Sequence, residues 1–265
     1  MDDRGATMEN MALVTGASAG IGEQLARIHA AKGGDLLLVA RSEERLADLA
    51  GELIDRHEVN VRVVARDLAV PGAAEGLADE LLAEGLVPDI LINNAGFGGQ
   101  GRFHERDWAR DRDMINLNVM ALAALTHGLL PAMVERGSGR ILNTGSVAGF
   151  LPGPNFATYF ATKAFVLSFS EAIAAELTGT GVTVTVLCPG PVATGFVDAA
   201  GMTNRQMFDA VAAPAEEVAR YGYRAMMRGD VVAVPGVATQ ISLFQLRLMP
   251  RGLTRAISRL TMGNL

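Results

Sequence analysis

The stretch Ala12-Leu13-Val14-Thr15-Gly16-Ala17-Ser18-Ala19-Gly20-Ile21-Gly22-Glu23-Gln24-Leu25 decides the fold. A short apolar run gives way to a glycine-rich turn. The turn leads into a helical pattern with Ile21, Leu25 and Ile28 on one face. Strand, turn and helix in that order open a dinucleotide site. Glycines let the chain turn sharply and let a pyrophosphate approach main-chain N–H groups at a helix N-terminus. The spacing is Gly-x-x-x-Gly-x-Gly, not Gly-x-Gly-x-x-Gly. Plain tight turns use glycine too, so the reading needs support from the rest of the chain.

Outward from this turn, strand and helix patterns alternate. Short runs rich in Val, Leu and Ile predict strands at 11–15, 35–40, 60–65, 89–93, 139–145, 182–188 and 230–234. Helical patterns fall at 20–32, 43–57, 72–85, 105–135, 156–178 and 214–228. This order predicts an α/β fold, a doubly wound parallel sheet of about seven strands with helices on both faces. No linker or repeat divides the chain, so 1–265 is read as one domain with a loose tail at 1–9.

Composition narrows the function. Apolar residues make up 49% of the 265 residues, and the net charge is −6. That balance argues against a nucleic-acid partner. No apolar run reaches the ~20 residues that span a bilayer. The start Met1-Asp2-Asp3-Arg4-Gly5 is acidic and is not read as a secretory signal. The single cysteine, Cys188, suits a reducing compartment, and the expected location is cytoplasmic. It lies in Val184-Thr185-Val186-Leu187-Cys188 and reads as a small buried hydrophobe. His29, His57, His104 and His127 have no close ligand spacing, so no metal site is expected.

The chemistry concentrates in Tyr159, Lys163 and Ser146. Tyr159 and Lys163 are four apart in a helical stretch and share a face. A free phenol titrates near ~10 and is a poor acid at neutral pH. A fixed ammonium nearby would lower that value. Ser146 follows the strand at 139–145 and could hold a substrate oxygen against the phenol. The plain alternative is an ordinary half-buried helix pair.

Thr15-Gly16-Ala17-Ser18-Ala19-Gly20-Ile21-Gly22, Asn93-Asn94-Ala95-Gly96, Asn118, Ser146, Tyr159-x-x-x-Lys163 and Pro189-Gly190-Pro191-Val192-Ala193-Thr194 occur in that order. In this the chain resembles the short-chain dehydrogenase/reductase family, in its compact single-domain branch. The resemblance implies a Rossmann-type fold, a nicotinamide cofactor and hydride transfer between a carbonyl and an alcohol. It implies catalytic roles for Asn118, Ser146, Tyr159 and Lys163, with Asn118 bending its helix and holding a water behind the lysine. It implies cofactor contacts at Gly16, Ser18, Gly20, Ile21, Gly22, Asp67, Leu68, Asn94, Pro189, Val192 and Thr194, and from Tyr159 and Lys163. Asn116 is the runner-up to Asn118, and Asp67 could equally cap a helix.

Ala40 stands where an NAD site of this family would place a carboxylate on the ribose 2′-OH. Arg41 follows it and could meet the 2′-phosphate of NADP, or it could only face Glu43 or Glu44. The expected cofactor is NADP, with NAD possible, because Ala19 replaces a second basic residue found in some NADP-dependent relatives. A catalytically silent, cofactor-binding regulator or scaffold is the alternative from another class. A sugar-nucleotide epimerase is disfavoured by length.

The segment 195–213 carries Phe196, Val197, Met202, Met207 and Phe208 and reads as a lid over an apolar or part-apolar small molecule. The regions 105–135 and 156–178 carry more apolar surface than one sheet face covers, and the resemblance implies that these helices pair into a homodimer or homotetramer. Residues 240–265 hold Arg247, Arg251, Arg255 and Arg259 and no acidic residue. They could touch an anionic membrane. The preferred reading is that they pack on a partner subunit or over the cleft.

Overall fold

The computed structural model describes residues 8–194 and 212–262. Its strands are β1 (Ala12–Thr15), β2 (Leu36–Ala40), β3 (Val61–Ala65), β4 (Ile90–Asn93), β5 (Gly139–Thr144), β6 (Val182–Leu187), β7 (Val192–Ala193), β8 (Ala213–Pro214) and β9 (Val232–Ala233). Seven of them form one parallel sheet in the order β3-β2-β1-β4-β5-β6-β9. The order reverses between β1 and β4, so a crevice opens at their C-terminal ends, where such sheets bind ligands. The expected doubly wound sheet is therefore present. The predicted strand at 230–234 is reduced to Val232–Ala233.

Alternation along each strand sends side chains into two separate cores. Ala12 and Val14 face one layer and Leu13 the other. Helices α1 (Gly20–Ala30), α2 (Glu43–His57) and a helix at Ala215–Arg228 cover the first face through Leu25, Leu46, Leu53 and Tyr223. Helix α3 (Ala73–Ala83), the helical run Trp108–Arg136 and a helix at Ala157–Glu176 cover the second through Leu77, Leu125, Leu129, Met133 and Ile173. Burying each such leucine contributes about 1.5–3 kcal/mol.

The predicted helix at 105–135 is three pieces. Helix α4 (Trp108–Ile115) is capped by the Asp107 side chain, which accepts from the Ala109 N–H at 3.0 Å. A π-helical turn at Asn116–Ala121 follows, and then α5 (Leu122–Arg136). Over 29 residues this run is long and apolar enough, by length and composition, to cross a membrane, which corrects the expectation drawn from apolar runs alone. Its Leu122, Leu125, Leu129 and Met133 are buried in the protein core.

Next come α6 (Ala157–Glu176), α7 (Ala215–Arg228), α8 (Val237–Leu248) and α9 (Arg251–Met262). The sequence reading gave 240–265 no defined helices. Pro250 ends one helix and starts the next, as a residue without an N–H does. The short pair β7–β8 was not foreseen: Val192 pairs with Ala213 and Ala193 with Pro214. The expected lid at 195–213 lies outside the described residues except at this end.

Buried amides cross the middle of the sheet. The Asn93 amide donates to the Thr126 hydroxyl at 3.1 Å and to the Asn143 amide oxygen at 3.0 Å, and the Asn143 amide donates to the Ser170 hydroxyl at 2.9 Å. These bonds join α5, β4, β5 and α6.

Candidate active site

A cleft of about 1060 Å³ lies over the C-terminal ends of the central strands. One end is the glycine turn: Gly16, Ser18, Gly20 and Ile21 line it. No side chain caps the start of α1, whose N-cap is Ala19. Among the described residues no side chain is seen to accept from the first-turn N–H groups of α1, the arrangement that suits an anionic phosphate. Gly16 has φ +66°, and a Cβ there would lie 2.9 Å from Ala95 Cα. A Cβ on Gly22 would lie 2.4 Å from both the Asn94 amide nitrogen and the Gly16 carbonyl. Gly22 does not line the cleft; it lets α1 close on the strand behind it.

Thr15 ties this turn to β4. Its hydroxyl donates to the Ile92 carbonyl at 3.3 Å and accepts from the N–H groups of Asn94 and Ala95 at 2.9 and 3.0 Å. The Asn94 amide donates to the carbonyls of Thr15 and Gly16 at 3.1 and 3.3 Å. Asn94 thus holds the turn in shape and lines the cleft. Thr15 was not singled out in the sequence, because one hydroxyl in a strand carries no pattern.

Beyond the turn, Arg41, Asp67 and Leu68 form the next part of the wall, together with Arg45 and Arg66. Asp67 accepts from the Ala69 N–H at 3.0 Å in an Asx turn, and Gly72, not Asp67, caps α3. Arg66 is engaged by Glu80 at 2.7 Å. Arg41 and Arg45 are exposed and enter no ion pair among the described residues, so Glu43 and Glu44 do not hold Arg41. Arg45 was missed. Its place one turn into α2, four residues after Arg41, was the available signal.

The other end of the cleft brings Ser146, Tyr159 and Lys163 together. Ser146 caps a short 3₁₀ turn at Val147–Phe150, and its Oγ accepts from the Ala148 N–H at 3.1 Å. The Ser146 hydroxyl also bonds to the Tyr159 phenol. Lys163 is buried; its Nζ donates to the Thr144 carbonyl at 2.7 Å and lies 5.9 Å from the Tyr159 ring centroid. Burial pushes the Tyr159 phenol up to about 12, and the bond from Ser146 offsets this only in part. Burial pushes the Lys163 ammonium down to about 8. The expected lowering of the phenol by Lys163 is therefore not what this arrangement gives, because desolvation is the larger effect. Burial also pushes the Cys188 thiol up to about 12, which makes it an inert packed side chain.

Pro189, Val192 and Thr194 close the cleft roof, and the Pro189 carbonyl accepts from the Val147 N–H at 3.0 Å. Asn118 lies behind the wall. It sits in the π-helical turn, and its amide donates to the Phe97 carbonyl at 2.9 Å and the Thr162 hydroxyl at 3.1 Å. Asn116 makes no such bridge among the described residues. Leu117, Val147, Leu151, Phe156, Phe160 and Met262 make much of the remaining wall apolar. His29 is buried in the α1 layer, with Nδ1 3.0 Å from the Tyr223 hydroxyl and Nε2 2.7 Å from the Asn10 carbonyl. His104 is exposed beside Glu105 at 3.4 Å.

The family model described as short chain dehydrogenase matches residues 10–205. Sulfoacetaldehyde reductase 2 of Chromohalobacter salexigens is 39% identical over 191 residues, which cover 71% of this chain and 75% of that protein. The NADP-dependent 3-hydroxy acid dehydrogenase of Escherichia coli K12 is 40% identical over 184 residues, covering 68% of this chain and 71% of that protein. The structure of a short-chain dehydrogenase from Sphingobium yanoikuyae in complex with NADPH superposes with a TM-score of 0.81 at 33% identity, covering 90% of this chain and 93% of that one. A glycine turn at the crossover of a parallel sheet, with serine, tyrosine and lysine across the cleft from it, has a family to match: the chain belongs to the short-chain dehydrogenases.

Proposed function

We propose that the protein interconverts a carbonyl and an alcohol with NADP(H), on an apolar or part-apolar small molecule, with Tyr159 as acid and base. The observation that carries this reading is the meeting of Ser146, Tyr159 and Lys163 on one wall of a cleft whose far end is an uncapped helix N-terminus. The donor set fits a dinucleotide: main-chain N–H groups for the pyrophosphate, Asp67 and Leu68 for the adenine, and Arg41 with Arg45 for a 2′-phosphate. The NADP-dependent relative and the NADPH-bound neighbour support that preference.

A nicotinamide bound in this cleft supplies the hydride and, when oxidised, a positive charge. The chain's own residues manage the proton. Ser146 donates to the substrate oxygen and fixes its position. Tyr159, protonated at neutral pH, gives its proton to that oxygen in reduction and takes it back in oxidation. Lys163 holds the cofactor ribose and stabilises the phenolate that forms. The Asn118 amide is engaged by Phe97 and Thr162. A proton-resupplying water would therefore be held by the main chain of the π-helical turn. The apolar wall from Leu117 to Met262 excludes bulk water and selects the substrate.

The test is Tyr159→Phe against a carbonyl and alcohol panel. Turnover should fall by about a thousandfold or more with NADPH affinity intact. Unchanged turnover would remove Tyr159 from the chemistry, and unchanged NADPH binding with no turnover by the wild type would favour a silent cofactor-binding protein. The reading includes a cytoplasmic location and a homo-oligomer built on α4–α6, where Trp108, Met120 and Phe165 are exposed. Light scattering that gives a monomer at micromolar concentration would refute the assembly.

A further inference from the structure

Helices α8 and α9 turn apolar side chains outward. On α8, Val237, Ile241, Phe244 and Leu248 follow one another at spacings of four, three and four, which places them on one face. They are 71%, 55%, 63% and 73% exposed. The opposite side of α8 packs on the protein through the buried Leu243. An ordinary surface helix puts polar residues where this stripe lies.

Helix α9 goes further. Among the described side chains its buried positions are the small polar residues Thr254 and Ser258, while Leu253 and Leu260 are 49% and 74% exposed. Arg251, Arg255 and Arg259 recur every four residues and are also exposed. From residue 231 to 265 there is no Asp or Glu, in a chain of net charge −6.

We infer that α8 and α9 form a docking face for the surface of an anionic phospholipid bilayer. The bilayer is the occupant that answers both features. Its acyl boundary takes the leucine and phenylalanine side chains, and its headgroups neutralise the arginines. A second copy meeting this face about a two-fold axis would set the arginine ridge against itself with no acidic residue in the segment to offset it. The preference drawn from sequence, that the tail packs on a partner subunit or over the cleft, is thereby reversed for its outer face. The inner face does meet the cleft: Met262 lines it, and its carbonyl accepts from the Asn155 amide at 3.0 Å. Docking would bring the cleft mouth close to the lipid headgroups.

Vesicle sedimentation of the full chain tests this. Phosphatidylglycerol-containing vesicles should carry the protein down and pure phosphatidylcholine vesicles should not. The bound fraction should fall about tenfold when NaCl is raised to about 0.5 M. Phe244→Asp with Leu248→Asp, and separately Arg251→Glu with Arg255→Glu and Arg259→Glu, should each abolish sedimentation while the unfolding midpoint and oligomer size hold. Phe244→Trp in a Trp108→Phe background tests the face without destabilising charges, since its emission should be quenched by brominated acyl chains. No sedimentation of the wild type, equal binding to both vesicles, or unquenched Trp emission would overturn the proposal. So would an oligomer that dissociates when Phe244 and Leu248 are charged, which would assign the face to a second copy.

Discussion

Asn118 and Phe97 hold each other by two hydrogen bonds: the Asn118 amide donates to the Phe97 carbonyl at 2.9 Å, and the Phe97 N–H donates to the Asn118 amide oxygen at 3.1 Å. A third bond, from the same amide to the Thr162 hydroxyl, ties the pair to α6 between Tyr159 and Lys163. One buried side chain therefore joins the strand-end loop, the π-helical turn and α6.

Asn118→Leu should leave the Phe97 main chain unpaired and destabilise the protein by about 1–3 kcal/mol. Turnover should fall more than substrate affinity, because the Thr162 hydroxyl, which lies between Tyr159 and Lys163 on α6, loses its bond from the amide. Thermal unfolding and steady-state kinetics check this; an unchanged midpoint with unchanged turnover would refute it.

Arg41→Ala removes a charge-assisted contact worth roughly 1.5–3 kcal/mol, so NADPH affinity should drop about ten- to a hundredfold. NADH affinity should change little. Arg45→Ala should act in the same direction, and the double variant should bind the two cofactors about equally. Fluorescence titration decides; an equal loss for both cofactors in Arg41→Ala would show that it does not read the phosphate.

Lys163 gives a pH dependence of defined sign. Its folded value is about 8, below the ordinary 10.5, so between these the unfolded chain binds more protons. The cost of keeping the ammonium charged is present in full below about 8 and is relieved as pH rises toward 10.5. Lys163→Met should be about 1–2 kcal/mol more stable than wild type at pH 7, with the gap closing at alkaline pH. Reductive kcat/KM of the wild type should fall above about pH 8 as the charge is lost. Unfolding midpoints measured across that range, and the kinetic profile beside them, test both parts.

Asp111 anchors the loop between β4 and α4. It is buried, accepts from Arg106 at 2.5 Å and from the Thr158 hydroxyl at 2.8 Å, and Arg106 also donates to the Gln100 carbonyl at 2.6 Å. Burial pushes the Asp111 carboxyl up, but the bonds from Arg106 and Thr158 outweigh it and hold the group below the usual carboxylate range. That stabilisation is present above pH ~4 and is lost as pH falls through the lowered value. Asp111→Ala strands the Arg106 charge and should destabilise by about 3–5 kcal/mol. Thr158→Val should cost about 0.5–1.5 kcal/mol and raise KM with NADPH affinity unchanged. Wild type should lose stability on acidification faster than Asp111→Asn; parallel curves would refute the assignment.

The sheet and its helices were legible because parallel strands buried on both faces read as plain aliphatic runs, as at Leu36–Ala40 and Val182–Leu187. The candidate site was legible where function needs a residue type at fixed spacing, as with the glycine turn and the Tyr159–Lys163 pair. Residues that act through tertiary contacts were not. Thr15, Arg106 and Asp111 gain their roles only when β4, the loop from β4 to α4, and α6 come together. The outward leucines of α9 were counted as apolar without a direction, since which face a helix buries depends on what it packs against. The direction of the Tyr159 shift was misread because burial, which no local spacing reports, outweighs the neighbouring charge.

The amides of Asn93 and Asn143 stand opposite each other in β4 and β5. Every other pairing between these strands is Ile or Leu against an aliphatic residue or Arg140, and such strands could slip by two residues with little loss of apolar contact. A slipped pairing would bury both amides against hydrocarbon with their hydrogen bonds unmade. The pair therefore makes the native alignment of β4 and β5 more stable than a slipped one. Because β4 leads to Asn94 and β5 leads to Ser146, it also sets the span between the two banks of the cleft: an error there would leave a folded sheet with the glycine turn and Ser146 out of step.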